Sequence, residues 1–489
     1  MQSNSRAIKI SALAAVTGAF IGAFVFAEVY IVNALDNMVD ITFLGTNIFR
    51  LFDFELTVAL FALIIFLLIL IKLLSRTYSL ERVFVILFIV GLQTTALTTM
   101  GRFDFSEIII ILFAFILLVK LFNPERSLTL TAFDLLNLFF IITLILPVVN
   151  NNIVMLVDSL VTGVKMFFIP LIFVNYLKDM DQVKFAIKWF LVMTFISSLI
   201  AIAQSALYLG TGYALIGFIE RSELKFMFES TPIGTMLRVP AFFGTYKPFT
   251  FFLDASLLLL LNTLFYCRLA LREKILISAV AGVMMTALIL TFSKDAYLSF
   301  FIGASISIIV WRPRYLLHWV ALALLVLALA EAFGVVDKAW ESIHNEITWQ
   351  EYRIRVLLAN DGIYGFIYKH PWVGIGVRNT PVYTAHFNGW PAHNSFIQAA
   401  DAGGVVGLLV YFALIAYTFK CLLKLLMIIP RGQDRWISMG LFTGFIAFVI
   451  MAQIHPFYLD RFLWLYMGLT KAAELKYIDP GPLAALSAA

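Results

Sequence analysis

Charge is scarce in this chain. Asp, Glu, Lys and Arg make up 13% of its 489 residues, against 62% that are hydrophobic. A soluble domain is about a quarter charged, so a water-facing globule of this size is excluded and a bilayer is the solvent that fits. Cysteine is nearly absent, with only Cys267 and Cys421. Both are expected at cytoplasmic helix ends, and no CxxC or Cys/His spacing surrounds them, which argues against a disulfide framework and a metal site. No internal repeat, low-complexity tract or separate soluble domain is visible. The alternation of a membrane β-barrel is missing, and the apolar runs are far longer than a barrel strand. What the chain has instead is Phe, 48 residues of it, and a succession of long apolar runs.

A span of about 20 mainly apolar residues crosses the hydrocarbon, which divides the chain into about fourteen segments. Their centres fall near Ile21, Leu63, Val90, Phe113, Phe140, Leu160, Ser197, Leu258, Met284, Ala304, Leu324, Leu409, Gly444 and Trp464. The first run, from about Ala12 to Val32, is too long for a signal-peptide core and reads as an uncleaved helix. The net charge of +5 then reads as positive-inside loop bias, and no nucleic acid is expected as a partner. With the N-terminus in the cytoplasm, the inside loops carry Lys72, Arg76 and Arg82; Lys120 and Arg126; Lys178, Lys184 and Lys188; Arg268, Arg272 and Lys274; Arg312 and Arg314; and Lys420, Lys424, Arg431 and Arg435. The short outside loops are nearly free of Lys and Arg, with Arg50, Arg102 and Arg461 as scattered exceptions. Both termini come out cytoplasmic.

The expected organisation is seven helices over 1–209, a loop over 210–248, four helices over 249–334, a larger loop over 335–393, three helices over 394–475 and a disordered tail over 476–489. Both long loops fall outside, where long loops are usually functional. The unusual residues gather there. Five of the six histidines (His344, His370, His386, His393 and His455) lie on that face. So do cations that break the inside bias: Arg221, Lys225, Arg238, Lys247, Lys294, Arg353, Arg355 and Arg378. Such cations either snorkel and pair or bind an anion such as a diphosphate. Lys294, in "LTFSKDAYLSFF", sits between two apolar runs, where it either pairs with Asp295 at a tight turn or faces a lipid head group.

"HPWVGIG" (His370 to Gly376) leads to "HNSFIQAADAGGVVGLLVYF", which places His393 and Asn394 at the mouth of a helix. Gly403, Gly404 and Gly407 have the spacing that lets another helix pack closely. An interfacial His can serve as a base near neutral pH or simply hydrogen-bond to backbone. Asp179 and Asp181 form a D-x-D, read as solvated charges in a cytoplasmic loop. Glu28, Asp134, Asp158 and Asp254, in or near spans, keep a transporter or flippase open as an alternative.

These stretches resemble the bacterial O-antigen ligase and O-antigen polymerase superfamily. "HPWVGIG" with "HNSFIQAADAGGVVGLL" is similar to its hPlxGxG and H-N-x-F/Y-L patterns, with Gly404 and Gly407 in register. "LRVPAFFGTYKPFTFFLDASLLLL" and "LTFSKDAYLSFF" are similar to two further motifs, and "RIRVLLANDGIYGFIYKHP" to the Arg-containing helix before hPlxGxG. Lys294 stands where the family has Arg, and Ala402 where it has an acidic residue, with Asp401 one position earlier.

The resemblance implies an all-α, GT-C-like polytopic fold whose two long outer loops contain short helices. It implies a metal-independent glycosyltransferase of the bacterial inner membrane with its site on the periplasmic side and no cofactor. The donor would be an undecaprenyl-diphosphate-linked oligosaccharide. The acceptor would be a second such glycan (polymerase), or lipid A-core or protein (ligase). A chain-length regulator protein and membrane lipids are the other expected partners. The catalytic residues it points to are His393, Arg238 and Lys294, with Arg355, Lys247, Arg378 and Asn394 binding diphosphate.

Overall fold

The structure is a computed structural model, and it describes residues 78–93, 110, 129–148, 153–212, 228–231, 234–243, 245–315, 317–321, 324, 356–357, 359–360, 363, 371–377, 392–430, 432, 434–455, 457 and 459–478. The expected spans centred on Ile21, Leu63 and Phe113 lie outside these residues, and only isolated residues are described around Leu324. Arg355, Arg378, the tail from 479 and most of the larger loop also lie outside them.

The described chain is almost wholly helical. Its helices are α1 (Leu80–Gln93), α2 (Ala132–Ile145), α3 (Ile153–Tyr176), α4 (Met180–Thr211), α5 (Tyr246–Tyr266), α6 (Leu271–Leu290), α7 (Lys294–Trp311), α8 (Ser395–Ile428), α9 (Arg435–Met451) and α10 (Arg461–Ile478). Val90, Phe140, Leu160, Ser197, Leu258, Met284, Ala304, Leu409, Gly444 and Trp464 each fall inside one of them. Among the described residues α4 to α8 are five helices long and apolar enough to cross a membrane, and α2, part of α3 and α9 are shorter apolar helices. The first long loop is described only in part. Within it lies a hairpin, β1 (Phe228–Thr231) against β2 (Gly234–Leu237), antiparallel with Phe228 opposite Leu237.

Local chemistry sets several ends. The Asp179 side chain accepts from the Gln182 N–H at 2.8 Å and caps α4, and Asp181 is exposed near Lys184, so the D-x-D is a helix start. Asp134 accepts from the Thr131 N–H and hydroxyl at 2.7 Å each and closes the first turn of α2. That accounts for one of the acidic residues that had kept a transporter open. Gly212, with φ 70°, ends α4 in the left-handed region that suits glycine.

Helix α5 is the hub, packed against α4, α6, α7 and α9. Polar groups buried along it bond across helices, as lipid-embedded polar groups must. Ser256 donates to Thr194 of α4 at 3.0 Å, and Asn262 donates to Ser307 of α7 at 3.0 Å. Buried Asp254 accepts from Ser299 of α7. Small residues allow the approach: a side chain at Gly303 of α7 would meet Leu258, and one at Gly440 of α9 would meet Leu259. Helix α6 turns apolar residues outward, with Ile275 and Leu276 both more than half exposed, as a lipid-facing helix would.

Candidate functional site

The N-termini of α5, α7, α8 and α10 gather with the C-termini of α4, α6 and α9, and most of the candidate residues lie at that end. Arg238 follows β2 on a strap that crosses the ends of α4 and α6. The Val239 N–H donates to the Leu290 carbonyl at the end of α6, at 3.4 Å. Gln204 of α4 bonds both backbone groups of Ala241, at 3.1 and 3.3 Å. Arg238 itself is half-buried. Its Nη1 donates to the Tyr246 hydroxyl at 2.7 Å, and its guanidinium lies 4.9 Å from the centre of that ring. Tyr246 opens α5, and Lys247 is half-buried in the same turn.

The turn from α6 to α7 fixes Lys294. Phe292 takes φ 51°, and Ala241 on the strap takes φ 50°. These are the non-glycine residues with positive φ among those described, and each sits within three positions of a candidate cation. Such backbone strain tends to persist where the surroundings dictate it, often at functional sites. Lys294 begins α7 and is exposed. Asp295 does not pair with it. Its carboxylate meets His455 Nε2 at 2.6 Å and accepts from the Ser293 hydroxyl at 2.9 Å.

His455 lies in the turn from α9 to α10, and that turn also holds the start of α8. The Ser395 N–H donates to the Ala452 carbonyl at 2.8 Å. The Ser395 hydroxyl donates to the His455 carbonyl and accepts from the Phe457 N–H, both at 2.7 Å. Asn394 caps α8, accepting from the N–H groups of Phe396 and Ile397 at 2.8 and 3.1 Å, and its Nδ2 donates to the Gln453 carbonyl at 3.0 Å. His393 is half-buried just before this cap. Asn394 thus spends its side chain on orienting the chain at His393.

The glycines of α8 do two things. Gly404, with φ 65° and ψ −163°, breaks the helix. The Pro371–Val377 segment fills the break. The Ile375 and Gly376 N–H groups donate to the Asp401 and Ala402 carbonyls at 2.9 and 2.8 Å, and the Val405 N–H donates to the Pro371 carbonyl at 2.7 Å. Backbone freed inside an apolar setting has to be satisfied this way. A Cβ on Gly374 would sit 2.5 Å from the Ala402 backbone, and one on Gly404 would collide with Trp372. Gly403 and Gly407 instead let α8 approach Thr143 of α2, the close packing expected from their spacing.

Part of the chain is similar to a known family. Residues 279–412 match the family model described as O-antigen ligase. The match runs from within α6 through α7 and into α8 past its break, and so includes Lys294, the Pro371–Val377 segment and His393. It supports the resemblance to the O-antigen ligase and polymerase superfamily, and with it a ligase- or polymerase-type glycan-processing function at a membrane. No curated protein matches the chain.

Arg238 lies on the strap, Lys247 in the first turn of α5, Lys294 at the start of α7, and His393 and Asn394 just before α8, whereas Arg355 and Arg378 lie outside the described residues. Sequence reasoning missed the Asp295–His455 pair and the Ser395 clasp. His455 had been counted among the outer histidines, but its partner is 160 residues away, and only the fold brings the two together.

Proposed function

We propose that the chain is a membrane glycosyltransferase that polymerises undecaprenyl-diphosphate-linked oligosaccharide repeat units on the periplasmic face. Arg238 and Lys294 stabilise the leaving diphosphate, and His393 takes the acceptor proton. An acceptor hydroxyl oxygen forms the new bond to the anomeric carbon. The bond from that carbon to the diphosphate oxygen breaks, and the electron pair leaves with the diphosphate. The hydroxyl proton passes to His393. Charge grows on the diphosphate as the bond breaks, which is where fixed cations help most. The N-termini of α5, α7, α8 and α10 add partial positive charge at the same end. In this reading the cations take the part a metal would otherwise play.

The observation that carries the reading is the chain of contacts from the His393 segment through Ser395 and His455 to Asp295, the residue that follows Lys294 in the chain. It holds a candidate base and a candidate cation on one rigid frame, with the Arg238 strap tied to the end of α6 four residues before Lys294. The test is genetic. The gene is deleted in its host and complemented with wild type, His393→Ala or Arg238→Ala at equal protein level, and surface glycan is resolved on a gel. Loss of the ladder with one repeat unit left on the core is the expected result and marks a polymerase. Loss of every repeat unit would mark a ligase. A full-length ladder from His393→Ala would remove His393 from the chemistry.

A further inference from the structure

The loop that carries His455 continues to a second charged place. Asp460, near its end, and Arg461, the first residue of α10, line a cavity of about 340 Å³ together with Lys165 of α3. Thr162, Phe243 and Pro248 also line it, so its wall includes the Arg238 strap and the residue next to Lys247. The volume is at the lower end of small-ligand pockets.

Lys165 was not a candidate in the sequence, where it is one cation in an apolar helix. It lies twelve residues past Ile153 (165 − 153), about 18 Å along α3. Its position is near the start of the shorter apolar stretch of that helix, Thr162–Tyr176; a cation beside apolar surroundings is kept where it meets charge or a polar cavity, and here it meets both. Asp460 accepts from the Phe462 N–H at 3.1 Å and so caps α10. Burial pushes its carboxyl up to about 6, against the opposing pull of that N–H, Arg461 and Lys165. Among the described lining residues two cations face one carboxylate, and the start of α10 adds its partial positive charge. Cations from two helices around a cavity of this size suit an oxyanion.

We propose that this cavity is a second anion subsite, which takes the phosphate group of a lipid-borne acceptor while Arg238 and Lys294 hold the donor diphosphate. It rests on the transferase reading above. A transferase that joins two lipid-borne chains has to hold two phosphate groups at one face. Two cationic places sharing the strap and the α9–α10 turn would do that.

The test uses the full-length protein in phosphatidylcholine nanodiscs, titrated with undecaprenyl phosphate or with inorganic phosphate. Binding is read as protection against thermal unfolding. Lys165→Met and Arg461→Gln are expected to weaken undecaprenyl phosphate binding about tenfold or more. Lys165→Arg should retain it, and Lys294→Met should change it less than either cavity variant does. Unchanged affinity in both cavity variants overturns the proposal. Inorganic phosphate binding as tightly as the lipid, with the same dependence on Lys165, makes this a free-anion site and overturns the acceptor assignment. If Lys165→Met does not fold, Arg461→Gln decides alone. The outcome is separable from that of the transferase reading. A full glycan ladder from His393→Ala in cells removes the chemistry, whereas the nanodisc titration still reports on the cavity.

Discussion

Replacing Gly404 by Ala tests the broken helix directly. The residue sits at φ 65° and ψ −163°, a region open almost only to glycine, and forcing an alanine there costs about 1–3 kcal/mol. The new Cβ would also collide with the Trp372 carbonyl, so the Pro371–Val377 segment would have to move away. Three hydrogen bonds cross that contact, from Ile375, Gly376 and Val405. Each contributes about 0.5–1.5 kcal/mol, and a buried group left unsatisfied costs more. Together these give a loss of about 4 kcal/mol or more. The assay is unfolding of the purified protein in detergent, with two comparisons. Gly403→Ala keeps an ordinary helical backbone and meets Thr143 Oγ1 at 3.3 Å, so it should cost about 1 kcal/mol or less. Gly432→Ala has nothing within 4 Å of the added atom and should be close to neutral. If Gly404→Ala unfolds within about 1 kcal/mol of wild type, the account of the break is wrong.

Other outcomes follow from the same kind of reasoning. Lys471 and Glu474, both buried on α10, pair at 2.7 Å, with the Tyr417 hydroxyl 3.1 Å from the ammonium and Lys424 3.2 Å from the other carboxylate oxygen. Glu474→Leu alone should cost about 3–5 kcal/mol and the Lys471→Met, Glu474→Leu double much less; a double-mutant cycle on unfolding checks this, and a double as damaged as the single would contradict it. Asp460 has a folded-state carboxyl at about 6, above the unfolded value, so its contribution to stability is complete below pH about 4 and lost as pH rises through 6. Asp460→Asn should flatten the unfolding profile by about 1–3 kcal/mol over that window, and parallel profiles for the two proteins would refute the assignment. Asp295→Ala removes the carboxylate that meets buried His455 at 2.6 Å and should destabilise by about 1–3 kcal/mol. Asp295→Asn should lose less, because its amide can still hydrogen-bond to the ring; the measurement is the order of the two unfolding midpoints.

The helices were legible because the bilayer sets both their length and their apolar character. Leu258, Met284 and Leu409 could be placed from hydropathy alone, and each lies inside a described helix. The break at Gly404 was not read, because apolar character runs on through Val405 to Phe412 and hides a change in the backbone. The signal was present in the adjacent pair Gly403–Gly404, a common cause of kinks. The hairpin at Phe228–Leu237 was missed because its strands are only four residues each, too short for alternation to show. In the candidate site, His393 and Lys294 stood out as a polar residue and a cation beside long apolar runs. Asp295, Ser395 and Lys165 did not, because their meaning lies in partners distant in sequence.

The break in α8 and the cap at its start belong to one device. Residues 378–391 join the segment that fills the break to Ala392 and His393. That connection is therefore held at both ends by the same first half of α8. At one end Ile375 and Gly376 bond the Asp401 and Ala402 carbonyls. At the other, Ala392 is fixed through Gln398, whose side chain donates to the Ala392 carbonyl at 2.7 Å, and Ser395 is clasped by the α9–α10 turn. The base role proposed for His393 requires its position to be set before the substrate arrives. Here His393 emerges from backbone held by the break, the Asn394 cap and the turn that carries His455. In an unbroken α8 the Asp401 and Ala402 carbonyls would be spent within the helix, and Pro371–Val377 would lose its anchor. The glycine pair and the histidine ten residues before it therefore act as a single element, which is the physical reason for them to occur together.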